Sequence, residues 1–416
     1  MPGGLLQLAA YGPQDVYLTG NPQITFFIAV YKRHTNFAIE SIQQLFHGIP
    51  NFGSKVYANI DPMADLVSQI FLNIRLPNLN CEPDKNPDYT VSWINSIGHA
   101  IIQHIDIEIG GTVIDRHFGQ WLEIWSELTL KSEQEYAYNL MIGKQLVFNT
   151  DSQPGPLNLY VPLQFWFNRN IGLALPLISL QYSKVRIICA FRDFNELWVS
   201  SNGLPPGKGG PDSSLVQGDQ IVDASLWVDY LFLENEERRK FASCNLEYLI
   251  EQLQVNTIGI DQKVVQVPMT FNHPVKELIW VLQINPIYQF GVNKRYEFFD
   301  FSNGEKVPGD TIESATIRLN GDERFKRREA FVFRVLQPYQ YHTRTPRNFI
   351  YLYSFSLRPE EHQPTGTCNF SRIDSADLDI VLNECVIQKD TQCNIYATNY
   401  NVLRIEAGIC GVVYSD

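Results

Sequence analysis

The sequence carries a faint copy of itself, and a chain that repeats a domain-sized stretch is constrained to fold as two similar units. The strand-turn Ile107-Glu108-Ile109-Gly110-Gly111 matches Ile317-Arg318-Leu319-Asn320-Gly321, and Pro77 matches Pro286, both at an offset of about 210 residues. Further along the offset falls to about 191, where Tyr160-Val161-Pro162-Leu163 meets Tyr351-Leu352-Tyr353-Ser354 and Tyr182-Ser183 meets Asp374-Ser375. Between the two offsets lies 120–141, where Trp121, Leu122, Trp125, Leu128 and Leu130 fall at helical spacing. Two copies of one domain, the first enlarged by a helical insertion, account for all four matches.

The domain itself reads as β. Apolar or alternating runs recur at 24–31, 66–76, 105–109, 159–167, 177–182, 184–191 and 224–233, and again at 276–284, 316–319, 350–357, 378–382 and 401–414. Aromatic and β-branched enrichment with frequent Gly and Pro supports strands. The expected fold is all-β: two tandem eight-stranded antiparallel jelly rolls, β-sandwiches with short helical insertions. A chain of 416 residues suits two such cores. The polar run Asn235-Glu236-Glu237-Arg238-Arg239-Lys240 links them, which gives an arm at 1–25, a first roll at 26–236 and a second at 237–416. The arm holds no Lys or Arg, and Pro2, Gly3, Gly4, Gly12, Pro13, Gly20 and Pro22 interrupt it too often for a helix or a long strand. Its apolar residues Leu5, Leu6, Leu8, Val16, Tyr17 and Leu18 need a cover. Loops at 78–104, 201–220, 285–314 and 384–398 are alternate connections of the two rolls and should emerge at one end.

Charge argues against a nucleic-acid binder. Lys and Arg number 33 against 45 Asp and Glu, a formal net charge of −12. The densest basic run, Arg324-Phe325-Lys326-Arg327-Arg328, is flanked by Asp322, Glu323 and Glu329 and reads as a solvated loop. Seven cysteines without a CxxC, several in apolar runs, read as buried free thiols. No apolar stretch reaches the length of a membrane span, the start lacks a charged signal-type opening, and no Gly follows the first Met for myristoylation.

Catalytic, cofactor and metal sites are not expected. The histidines at 34, 47, 99, 104, 117, 273, 342 and 362 form no HxH, HExxH or His–Cys pair of ligand spacing. Nucleophile elbows and phosphate-cradling loops are missing, and Gly207-Lys208-Gly209-Gly210 sits in a Pro-rich loop without a helix to follow. Glu236-Glu237 and Glu360-Glu361 read as solvated surface. The sequon Asn369-Phe370-Ser371 falls in an expected core strand and is read as unmodified.

Several segments resemble one family. They are LAAYGPQDVYLTGNPQITFF at 8–27, YKRHTNFAIE at 31–40, GLALPLI at 172–178, WVDY at 227–230, EYLIEQL at 247–253, TCNFSRID at 367–374 and NYNVLRI at 399–405. In this order they are similar to the double jelly-roll major capsid proteins of nucleocytoplasmic large DNA viruses, of the algal phycodnavirus-like type. Segments 78–88, 201–220 and 285–314 carry no match. The resemblance implies a non-enzymatic structural protein of the virion, assembled in host cytoplasm. It also implies a homotrimer that forms pseudo-hexagonal capsomers of an icosahedral shell, with the four loops facing outward. The implied partners are neighbouring capsomers, minor capsid and penton proteins and, indirectly, an inner membrane layer, with no direct nucleic-acid contact. The alternative is a two-domain β-sandwich that binds glycans or attaches a virion to its host; Tyr288, Phe290, Tyr296, Phe298 and Phe299 would supply its aromatic platform.

Overall fold

A computed structural model of the chain describes residues 3–81, 91–144, 156–200, 216–284, 298–305, 307–387 and 389–415. Two compact units emerge, Met1–Phe37 and Ala38–Asp416. The larger contains sixteen strands that repeat one pattern. In the first half these are β1 Phe37–Leu45, β2 Lys55–Asn59, β3 Leu66–Leu76, β4 Ile102–Ile109, β5 Thr112–Phe118, β6 Leu157–Pro162, β7 Val185–Phe191 and β8 Asp223–Leu233. In the second they are β9 Leu246–Ile260, β10 Val264–Pro268, β11 Pro274–Ile284, β12 Ile312–Leu319, β13 Asp322–Glu323, β14 Tyr351–Ser354, β15 Ala376–Leu382 and β16 Thr391–Glu406. A last strand, β17 Ile409–Val412, folds back on β16.

The sheets run β1-β8-β3-β6 and β2-β7-β4-β5, then β9-β16-β11-β14 and β10-β15-β12-β13. Adding eight to every label of the first pair gives the second, and the described pairings are antiparallel. That order is a jelly roll, made twice. The hairpins anticipated at Gly110-Gly111 and Asn320-Gly321 are the equivalent β4–β5 and β12–β13 turns. All four residues have positive φ (63°, 87°, 53° and 86°), the twist that two-residue hairpins need.

Each sandwich is filled by period-2 alternation. Ile70, Leu72 and Ile74 face Ile105, Ile107 and Ile187 in the first roll; Leu278, Trp280 and Leu282 join Ala315, Ile317, Leu378 and Ile380 in the second. The insertion at 120–141 is two helices, Gly119–Thr129 and Ser132–Ile142, parted at Leu130-Lys131, whose extended backbone stops the first helix and starts the second. A further helix, Asn235–Ser243, spans the polar run between β8 and β9.

Several expectations fail locally. Residues 24–31 form no strand, and 177–182 opens with a 3-10 turn at Leu177–Ser179. The run 159–167 ends as a strand at Pro162 and resumes as the short helix Trp166–Arg169. Residues 401–414 break at Ala407 and Gly408, both at positive φ, into the β16–β17 hairpin. The supposed loop 384–398 ends at Thr391, where β16 begins. Within the unit Met1–Phe37, Gly3–Ala9 and Val16–Thr19 are helical despite the Gly and Pro content. Gly3 and Gly4 fall in the first turn of one helix and Gly20 at the C-cap of the other, while Gly12 and Pro13 lie between the two, so none interrupts a helix interior.

The two rolls share one seam. Strand β11 is buried over nearly its whole length, with only Pro274 and Gln283 partly open. A strand buried on both sides reads as a continuous apolar run, and the second side here is the first roll. Ile279, Val281, Ile350, Leu352 and Tyr396 belong to the first roll's core cluster, while their neighbours belong to the second's. The Trp121 ring of the insertion helix packs at a tilt against Tyr396, with centroids 5.5 Å apart. Gln120 accepts from Tyr396 Oη (2.6 Å) and Asn394 Nδ2 (2.8 Å) and donates to Gln283 Oε1 (3.1 Å).

Charge is buried beside this seam. Lys276, fully buried, meets Glu251 at 2.7 Å and donates to Pro359 O, and Arg169 of the first roll reaches the same carboxylate at 2.8 Å. Burial alone would push the Glu251 carboxyl up, but Lys276 and Arg169 hold it below the ordinary range. His342 sits between Glu277 and Glu360, both at 2.9 Å. Burial opposes its charge, yet the two carboxylates raise it to about 9.

Two predictions follow from this packing. Trp280 has no exposed surface and touches Phe333 and Tyr351. Trp280→Ala should cost about 3–5 kcal/mol in chemical denaturation, and a loss below about 1 kcal/mol would contradict the packing. A histidine raised from 6.5 to about 9 on folding stabilises fully below pH 6.5 and loses that contribution as pH climbs to about 9. Its size is roughly 3 kcal/mol. Wild type should therefore lose more melting temperature between pH 6.5 and 9.5 than His342→Gln, and parallel curves would show that His342 is not charged.

Candidate assembly surfaces

Two of the histidines and the paired carboxylates singled out in the sequence have structural partners or positions. His99 Nδ1 pairs with Glu123 at 2.7 Å, and its other nitrogen meets Tyr138 Oη at 3.1 Å. Burial would raise the Glu123 carboxyl, but Lys144 and His99 bring it down to about 2. This cluster locks the insertion helix to the short helix Ile97–Ala100 before β4. Glu360 is held by His342 and Thr343, and Glu361 by Arg358. Glu236 and Glu237 occupy the first turn of the helix Asn235–Ser243, where the N-terminal partial charge favours acids. Among the described residues no group of His, Cys, Asp and Glu could hold a metal ion, and no helix is long and apolar enough to cross a membrane. Of the basic run, Phe325 is anchored against Phe333 and Tyr353, and Arg327 lies 3.9 Å from Asp379.

Six described cysteines are free, with Cys189, Cys393 and Cys410 buried. Asn369 is exposed in a two-residue strand, and its side chain accepts from Ser371 N, so the sequon does not lie in a core strand. Phe298 and Phe299 are buried against each other, with the Arg192 guanidinium over Phe298, and so offer no exposed platform. Gly207 to Gly210, Pro286, Tyr288, Phe290 and Tyr296 lie outside the described residues.

The described parts of the four loops meet in pairs. Val91–Trp93 pairs with Trp198–Ser200, and Asn80–Cys81 with Val216–Gln217, which joins the first two loops. Lys389 Nζ reaches Asn303 O and Glu305, which joins the other two.

Among the described residues, two of the places that leave apolar surface open are larger than single side chains. The outer face of β1-β8-β3-β6 presents Phe71 opposite Trp227, with Ser41, Tyr160 and Met141 lining a shallow groove of about 440 Å³ beside them. The second is the segment after β13. It forms a π-helical turn, Val332–Leu336, and the helix Gln337–Tyr341, and exposes Phe331 (58%), Leu336 (38%) and Tyr339 (77%). Phe71 and Trp227 interrupt outward positions that are otherwise mostly polar, Gln69, Asn73 and Arg75 on one strand and Asp223, Ser225 and Asp229 on the other, and neither is singled out in the sequence as an open site. Nothing in the sequence marks the Lys276–Glu251–Arg169 group except two charges, Lys276 and Glu277, inside an otherwise apolar strand. Such an interruption is the available signal for a buried ion cluster.

Comparison with known proteins accounts for this architecture. The family model described as major capsid protein N-terminus matches residues 25–234, and that of the large eukaryotic DNA virus major capsid protein matches 237–411. The major capsid protein of Pyramimonas orientalis virus is 40% identical, with both chains covered in full. That of Paramecium bursaria Chlorella virus 1 is 37% identical, again over the whole of both. A chain of the solved PBCV-1 capsid superposes with a TM-score of 0.78 at 32% identity, covering 94% of this chain and all of that one. The Faustovirus major capsid protein, 13% identical, shares the fold with a TM-score of 0.77. The chain therefore belongs to the family of major capsid proteins of large eukaryotic DNA viruses.

Proposed function

We propose that this protein is the shell-forming subunit of such a virus, working by self-association and without chemistry of its own. Three copies form a capsomer, and capsomers tile an icosahedral shell. The observation that carries this reading is the doubled roll. A trimer of a two-roll chain presents six near-equivalent sandwiches, and six units fill the hexagonal cell of a flat facet from one polypeptide. In this reading the working units are an arm at 1–25, a first roll at 26–236 and a second at 237–416. The loop end of the rolls faces outward, where variation is tolerated. Assembly takes place in host cytoplasm, with minor capsid and penton proteins as further partners and an inner membrane layer reached only indirectly. The net charge of −12 supports a shell that does not itself wrap DNA.

The arm is the part most suited to joining capsomers. It is poor in charge and carries Leu5, Leu6, Leu8, Val16, Tyr17 and Leu18, which a neighbouring subunit or minor protein on the inner face would cover. Purified protein should run as a trimer by size-exclusion chromatography with light scattering, three times its 47.8 kDa; a monomer at micromolar concentration would contradict the capsomer reading. Removal of residues 1–20 should leave that trimer intact with its melting temperature nearly unmoved, while particle assembly is lost. An unfolded or monomeric truncation would place the arm within the fold.

A further inference from the structure

We propose that a small cavity between the two rolls is an oxyanion site, which takes a sulfate- or phosphate-class ion together with a proton on His362 and so ties one roll to the other. The cavity holds about 160 Å³ and opens beside the Lys276–Glu251–Arg169 group. Arg169 and Asn170 wall it from the first roll, and Glu251, Glu360 and His362 from the second. A single water needs roughly 10–15 Å³ of such space, so a small polyatomic ion fits with water around it. Ligand cavities form preferentially where domains meet. The site lies within one chain, so its test does not depend on how copies assemble.

Unused hydrogen-bonding capacity decides what the cavity can hold. Its carboxylates are already satisfied. Glu251 accepts from Lys276 at one oxygen and from Arg169 at the other. Glu360 accepts from His342 and Thr343 N at one oxygen and from Thr343 Oγ1 at the other. The donors are not satisfied. A guanidinium has five N–H groups. Arg169 spends one on Gln164 O and one on Glu251, with its central carbon 4.4 Å from the centre of the Trp125 ring. Asn170 turns its carbonyl oxygen to Gly172 N and leaves its amide nitrogen without a bond to any described residue. Neither ring nitrogen of His362 is hydrogen-bonded to a described residue. Spare donors beside capped carboxylates suit a ligand that only accepts, and an oxyanion is that ligand.

Charge then demands the proton. Lys276, Arg169 and the protonated His342 stand against Glu251, Glu277 and Glu360, three charges of each sign. The group is balanced before anything enters, so an anion has to bring a positive charge with it. His362 is the neighbour able to supply one, since Glu360 on the same wall is already paired with His342. Burial is the main cause that holds His362 below the ordinary histidine range; Glu251 opposes this, and Lys276 and Arg169 reinforce it. His362 is therefore neutral at pH 7, and an anion beside it favours the charged ring. Arg169 and Asn170 of one roll and His362 of the other then share a single ion, a tie across the seam that apolar contact does not provide.

The test is the melting temperature of the purified full chain in sodium sulfate against sodium chloride of equal ionic strength, at pH 6 and pH 8. Sulfate does not titrate in this range, so a pH dependence of its effect belongs to the protein. Wild type should gain at least about 2 °C from about 10 mM sulfate at pH 6, and less at pH 8, where protons are scarcer. Asn170→Asp keeps the acceptor for Gly172 N and puts a negative charge at an exposed position of the wall, and its gain should vanish. His362→Gln cannot take the proton, so any gain left to it should be equal at the two pH values. A gain equal in wild type and Asn170→Asp comes from salt acting on the whole surface and overturns the site, as does no gain in wild type at either pH. A pH difference that survives in His362→Gln overturns the part given to His362. Glycerol 3-phosphate at pH 6 identifies the source: a gain with it as well assigns an oxyanion carried on a larger molecule, and a gain with sulfate alone assigns a free ion. If a variant misfolds, calorimetric titration of wild type with sulfate in two buffers of different ionisation heat reads the proton directly. Uptake of protons on binding at pH 7 is expected, and binding without uptake, or no binding, overturns the proposal.

Discussion

In the second roll's β9-β16-β11-β14 sheet the central strands β16 and β11 are covered on both sides, and most of the molecule's arrangement depends on that double burial. A sheet with one dry face can be satisfied by its own sandwich. A sheet with two must be given a second body, and here the first roll is that body. Strand β11 meets the demand with apolar side chains at successive positions, Leu278, Ile279, Trp280, Val281 and Leu282, all fully buried or nearly so. At about 25 cal/mol per Å² of apolar surface removed from water, two such strands contribute a large share of the force that fuses the rolls.

Polar groups give the seam its register. Gln120 has three partners on the second roll, and each would be left unsatisfied if the insertion helix slid by a residue. The Lys276–Glu251–Arg169 group has the same character, since removal of any member strands a buried charge. Arg344 extends the tie from the second roll, its amide donating to Leu128 O and its guanidinium to Glu135. The apolar surface supplies attraction without direction, and these contacts fix which arrangement of the two rolls is adopted.

The repeat, the β class and most strands were legible in the sequence because period-2 alternation and the Gly110-Gly111 and Asn320-Gly321 turns are local signals. β3 is the clear case, its bounds at Leu66 and Leu76 fixed by alternation and by Pro77. Failures came where local pattern and tertiary context differ. Residues 24–31 look like a strand by composition, but no neighbouring strand pairs with them. Residues 177–182 follow Pro176 and turn because β7 must start on the other sheet. The seam was not legible at all. Nothing local distinguishes Ile279, which faces the first roll, from Leu278, which faces its own core, and the buried ion cluster joins Arg169 to Glu251, 82 positions away, and through it to Lys276.

The fusion of the two rolls therefore rests on the side of β11 that meets the first roll. Its most direct measurement is the stability of Ile279→Ala, a change on that side at a residue with no exposed surface, read by chemical denaturation. The account predicts a loss of about 2–5 kcal/mol, the ordinary cost of emptying a buried aliphatic site. A loss below about 1 kcal/mol would contradict it.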